Sequence, residues 1–134
     1  MTLKLLPVAL FVAATQSAIA KQPPENLWTT PGGELSILTT PCNGPQNTLC
    51  AVIVGVNSKD LSPWKGQLCG EPLMWGLKPG RSSGAWINGT VFDLESQKQY
   101  PLKVDFLKDA MRMTVGNGRS MTWVHASKSD VNCK

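Results

Sequence analysis

His125 is the only histidine in the chain. A histidine acting as general base needs a nucleophile within reach and a third group to orient it. His125 stands at the end of a β-rich stretch, and no Ser or Cys partner can be paired with it from the sequence. It reads as a rim or surface residue. Asp93 and Glu95 are close in sequence, and paired carboxylates can serve a glycosidase or a calcium loop. Those sites need a defined separation across a substrate, or many oxygen ligands. Two acids in a hairpin turn are more simply solvated turn residues. Asn88-Gly89-Thr90 fits a glycosylation sequon, but it falls within a predicted strand. No nucleophile–base pair and no metal-binding set can be assembled, so the reading is of a non-enzymatic protein without metal or cofactor.

The four cysteines are Cys42, Cys50, Cys69 and Cys133. Their spacing contains no Cys-x-x-Cys pair and matches no zinc signature. An even count in an exported chain points to two disulfides. Cys42 and Cys50 flank a run of turn formers at 43–47, which places them across a hairpin. Cys69 is then left to pair with Cys133.

The aromatic and thioether inventory is the other feature that could serve a site. Trp28, Trp64, Trp75, Trp86 and Trp123 are joined by Phe92, Tyr100 and Phe106, and by Met74, Met111, Met113 and Met121. Such side chains line apolar ligand pockets, and they also fill ordinary cores. Period-2 alternation puts Tyr100, Leu102, Val104 and Phe106 on one face, followed by Met111 and Met113. These six are the candidate lining of an interior site, with Trp75, Trp86 and Trp123 added on weaker grounds. Trp64 lies in an irregular stretch, where it would cap a barrel mouth or anchor a partner.

The elements that must position these residues are short strands. Alternation and β-branched runs mark them at 27–30, 34–40, 49–57, 73–78, 85–92, 99–107, 110–115 and 121–125. The run at 49–57 reads as a strand buried on both faces or nearly so. Gly89 marks a bulge or bend. Lys108-Asp109 leaves room only for a tight turn. The stretch 58–72 has no clean period. About eight strands with turn signals and no helical period imply an all-β fold. Sequential hairpins favour a small antiparallel up-and-down β-barrel, whose closure removes exposed edges.

Composition sets the boundaries. At 134 residues the chain holds one domain. With 42% hydrophobic and 16% charged residues it is too apolar to be disordered. A net charge of +4 without a basic run argues against nucleic acid. At the N-terminus, Lys4, an apolar run at 5–14 and Ala18-Ile19-Ala20 form a secretory signal pattern, cleaved before Lys21. The expected layout is a signal peptide at 1–20 and one barrel domain at 21–134. The apolar run is too short to span a bilayer, and no later segment is long enough. The compartment is periplasmic or secreted.

Several segments resemble a family of bacterial exported proteins. Pro41-Cys42 followed by Leu49-Cys50-Ala51-Val52-Ile53-Val54 is similar to its "PC…LCG-x-IV" hairpin. Trp86-Ile87-Asn88-Gly89-Thr90-Val91-Phe92-Asp93 resembles its "W-x-G-G-x-I-Y-D-P" strand. Lys98-Gln99-Tyr100 resembles "GK-x-Y", and Thr122-Trp123 resembles the closing "TW-x-R". The family is domain-of-unknown-function family 2147. The resemblance implies a lipocalin-like β-barrel with no established biochemical role. The chain departs from the pattern at 93–98, which lacks the family's Pro and Gly, and at 58–72, where the "NPD…LR" loop is not recognisable.

Two functions follow from these readings. One is a barrel that binds a small apolar or amphipathic molecule. The other is a periplasmic protein-binding module, an enzyme inhibitor or envelope accessory factor, working through loops 43–48 and 58–72.

Overall fold

The computed structural model describes residues 22–44, 47–116 and 118–134. The expected signal segment lies outside the described residues. Eight strands run in chain order: β1 (Asn26–Thr29), β2 (Leu35–Pro41), β3 (Leu49–Val56), β4 (Pro72–Pro79), β5 (Ala85–Asp93), β6 (Lys98–Phe106), β7 (Ala110–Val115) and β8 (Ser120–His125). Each pairs with the next, antiparallel, and β1 with β8 completes a closed barrel. The up-and-down order expected from the hairpins is the order found. The connection 57–71 contains a short helix, α1 (Lys65–Leu68), preceded by a 3-10 turn at Ser62–Trp64.

Alternation decides which side chains enter the barrel. In β6 and β7, Leu102, Val104, Met111 and Met113 are buried, while Lys103 and Arg112 between them are exposed. Ile37, Leu49, Ala51, Ile53, Met74, Leu77 and Trp86 complete the middle of the interior at 0–1% exposure. The centre of the barrel is therefore filled by these side chains.

Four irregularities tune the register, one of them where two steps from Pro72 to Met74 in β4 oppose one step in β3. Ser36 pairs with Gly55 but Ile37 pairs with Ile53, so Val54 is an extra residue in β3. Its carbonyl accepts the N–H groups of Asn132 (3.1 Å) and Cys133 (2.9 Å) from the C-terminal tail. On the outer face Cys50, Val52 and Val54 are half-buried, Val54 beneath the tail and Cys50 bridged to Cys42. The strand is thus fully buried on its inner face and half-buried on its outer one, near the burial on both faces that its β-branched run suggested. In β4, three steps from Met74 to Leu77 oppose two in β3, and Gly76 takes φ 72°. In β5, three steps from Trp86 to Gly89 oppose two in β6, with Asn88 at φ 59°. A Cβ at Gly89 would collide with the Leu77 side chain, so this bulge needs its glycine.

Both disulfides form as the cysteine spacing implied. Cys42–Cys50 clamps the β2–β3 hairpin, and Cys69–Cys133 ties the tail to the end of α1.

One buried polar cluster holds the first strand in place. Thr39 Oγ1 accepts from the Asn26 N–H (3.2 Å) and from Trp28 Nε1 (3.1 Å), and donates to the Asn26 carbonyl (3.2 Å). Thr39 is fully buried. Val has nearly the same shape but would leave the indole N–H without an acceptor. Thr39→Val is expected to cost about 1–3 kcal/mol. Urea denaturation measures it, and a change under about 0.5 kcal/mol would show that the hydroxyl adds nothing net.

Candidate functional site

The register fixes two barrel ends. One end carries the β1–β2, β5–β6 and β7–β8 turns. The other carries the β2–β3, β4–β5 and β6–β7 turns, with β1 starting there and β8 ending there. Each end holds a cavity.

The first cavity, about 190 Å³, opens at the β1–β2, β5–β6 and β7–β8 end. Its apolar wall is built from inward positions of five strands: Leu35 of β2, Leu73 of β4, Val91 of β5, Met113 and Val115 of β7, and Trp123 of β8. Tyr100 and Met121 stand nearer the rim, both half-buried. Glu34, Asp93, Glu95 and Arg119 complete the mouth. The shape is thus an apolar floor under a polar collar. That is the usual layout of a pocket for a small molecule with one polar end.

Local structure fixes the collar. Asp93 closes the β5–β6 turn: its carboxylate accepts from the Glu95 N–H (3.1 Å) and the Ser96 hydroxyl (3.0 Å). Ser96 also meets Tyr100 Oη at 3.5 Å, and Gln97 takes φ 55° to complete the turn. Asp93 therefore works as a turn former. No group of three or more His, Cys, Asp or Glu among the described residues could hold a metal ion.

Trp123 is the chemically distinctive group. It is 3% exposed, and its Nε1 is buried without a hydrogen-bond partner among the described residues. A buried indole N–H normally finds an acceptor.

The second cavity, about 290 Å³, lies at the other end, between Trp28, Trp86, Phe106 and His125, with Gln22 and Pro24 forming part of its wall. Here the polar group is satisfied, because Trp28 Nε1 is bonded to Thr39. His125 is exposed and stacks on Trp28, with ring centroids 4.3 Å apart. It is a rim residue, as its position suggested.

The structure distributes the sequence candidates among three places. Tyr100, Met113 and Trp123 line the first cavity. Trp86 and Phe106 line the second. Leu102, Val104 and Met111 are buried in the filled middle and border neither cavity. Trp75 is half-buried and lies outside both. Trp64, 56% exposed, stands on the 3-10 turn before α1. Leu35, Leu73, Val91 and Val115 reach the first cavity without having been singled out. Their inward parity was visible, but their nearness to the open end was not.

An eight-stranded, closed, antiparallel barrel with space at its mouth is a lipocalin-like architecture. Among solved structures the chain is similar to protein HP1028 from the human pathogen Helicobacter pylori, which belongs to the lipocalin family. The two share 16% sequence identity at a TM-score of 0.56, over 80% of this chain and 85% of that one. The likeness defines the fold. No protein-family model and no curated protein sequence matches the chain. No helix among the described residues is long and apolar enough to cross a membrane.

Proposed function

We propose that the protein is an exported, non-enzymatic barrel that binds a small amphipathic molecule in the cavity at the β1–β2, β5–β6 and β7–β8 end. The observation that carries this reading is the apolar floor of Leu35, Leu73, Val91, Met113, Val115 and Trp123 beneath a polar collar. The lipocalin-like fold supports it, since barrels of this size are wide enough for one small ligand. The two disulfides support an oxidising compartment, periplasmic or extracellular.

Size limits the ligand. Pockets for drug-sized molecules start near about 300 Å³, and an apolar cavity of about 150 Å³ holds benzene. At about 190 Å³ the cavity suits a single ring or a short chain.

Toluene is a direct probe. On titration, the Met113 and Met121 methyl signals are expected to shift in NMR spectra, because both residues line the cavity. The Met74 and Met111 methyls, packed in the filled middle, are expected to stay within a fraction of those shifts. Spectra unchanged up to toluene saturation would overturn the reading.

A further inference from the structure

One residue of the cavity wall, Trp123, carries a buried polar group, its Nε1, without a partner among the described residues. Trp28 shows the usual treatment of such a group in this barrel, with its Nε1 bonded to Thr39 at 3.1 Å. Leaving a donor buried and unanswered is costly, so a ligand that brings an acceptor gains more here than in water.

The collar restricts what kind of acceptor can come in. Glu34, Asp93 and Glu95 stand at the mouth against Arg119 alone. Arg119 is itself already engaged by other groups of the protein. Three acidic side chains against one basic one disfavour an anion, and carrying a charge to a floor of Leu, Val, Met and Trp would add its desolvation.

We propose that the natural ligand is a neutral, single-ring or short-chain molecule with a carbonyl-type acceptor, and that this acceptor takes the Trp123 Nε1–H while the hydrocarbon part packs on Met113, Leu73 and Val91. This deepens the small-molecule reading given above and rests on it. Trp123 becomes the residue that selects polarity within an otherwise apolar site.

Three probes of closely similar shape separate the possibilities. α-Methylstyrene has only the apolar surface, acetophenone replaces its terminal methylene by a carbonyl oxygen, and benzoate carries a negative charge. In the ¹⁵N-labelled protein, acetophenone is expected to move the Trp123 indole N–H resonance downfield, and α-methylstyrene is expected to bind without that shift. Trp123→Phe is then expected to weaken acetophenone about tenfold relative to α-methylstyrene, the factor for one net hydrogen bond. Taking the ratio of the two probes on each protein cancels their different solubilities and any repacking of the cavity wall. Benzoate is expected to bind more weakly than acetophenone. If both neutral probes bind but the indole resonance and the ratio do not respond to the carbonyl, the acceptor proposal is overturned and the cavity reading stands. If benzoate binds best, the neutral-ligand assignment is overturned. If no probe binds, the cavity reading fails and takes this proposal with it. The indole resonance is read on the unsubstituted protein, so the test holds even if Trp123→Phe does not fold.

Discussion

Trp28→Ala is expected to destabilise the protein by about 4 kcal/mol or more, a large share of a domain's usual total of about 5–15 kcal/mol. Burial alone accounts for much of this, because truncating a buried tryptophan costs about 3–5 kcal/mol, and Trp28 is 1% exposed. Position adds to it. β1 and β8 close the barrel through two residue pairs only, Trp28 with His125 and Thr29 with Val124. The neighbouring β7–β8 pairing uses five. The Trp28 indole reinforces this narrow seam on three sides. It bonds Thr39 of β2, stacks on His125 of β8, and packs against Phe106 of β6 at a centroid distance of 5.8 Å. Trp86 is as deeply buried, but its strand is paired along most of its length on both sides. Its truncation costs packing without opening a seam. Hydrogen exchange separates the two effects. In Trp28→Ala the Ala126 amide, which donates to the Leu27 carbonyl across the seam, is expected to exchange faster by a larger factor than amides of the β6–β7 ladder. Equal acceleration everywhere would mean that the residue stabilises the barrel only globally. A loss under about 2 kcal/mol by denaturation would refute the seam argument itself.

The strands were legible because their signals are local. β6 and β7 alternate strictly, a two-residue turn region separates the alternating runs, and every strand boundary falls within one residue of its expected place. The cysteine pairing was legible for the same reason, since turn formers between Cys42 and Cys50 bring those two together. Depth along the barrel was not legible. Met111 and Met113 share residue type, strand and face. Yet Met113 pairs with Met121 near the open end and borders the cavity, while Met111 pairs with Trp123 further in and is packed on all sides. Parity tells which face a side chain takes, and depth comes only from how eight strands stagger when the sheet closes.

Bulges hid the rest. Two register shifts break the period of β4. Two steps from Pro72 to Met74 oppose one in β3, so the adjacent Leu73 and Met74 are both buried, one at the cavity and one in the core. After Trp75 the Gly76 bulge brings Leu77 inward as well, while Trp75 remains half-buried outside both cavities. Trp28 gave no sign of its importance, because its partners Thr39 and His125 are distant in sequence and meet only at closure. The unanswered Nε1 of Trp123 was likewise invisible, since hydrogen-bond satisfaction belongs to the assembled barrel.

Replacing both Cys69 and Cys133 by Ala is expected to remove about 4 kcal/mol, the chain-entropy value for a loop of this length. The bridge spans 64 positions, against 8 for Cys42–Cys50, whose removal is worth about 2.5 kcal/mol by the same relation. The larger figure is not expected to bring a change in the folded barrel. The tail is held on β3 by bonds that do not involve sulfur. Asn132 Oδ1 accepts from the Val56 N–H (2.9 Å), and Asn132 Nδ2 donates to the Val56 carbonyl (3.0 Å) and to Asn57 Oδ1 (3.0 Å). Gly55 leaves room for the Asp130 carbonyl, which any Cβ there would strike. The stabilisation therefore resides mainly in the unfolded chain, which the bridge keeps from expanding. Two measurements follow from that placement. The urea midpoint of the double variant should fall while the slope m rises, because a longer unbridged chain exposes more surface. The folded spectrum, including the Val54 and Val56 amides, should stay close to that of the parent. A variant that keeps its slope but loses those amide signals would locate the effect in the folded tail instead, and the entropy argument would be wrong for this bridge.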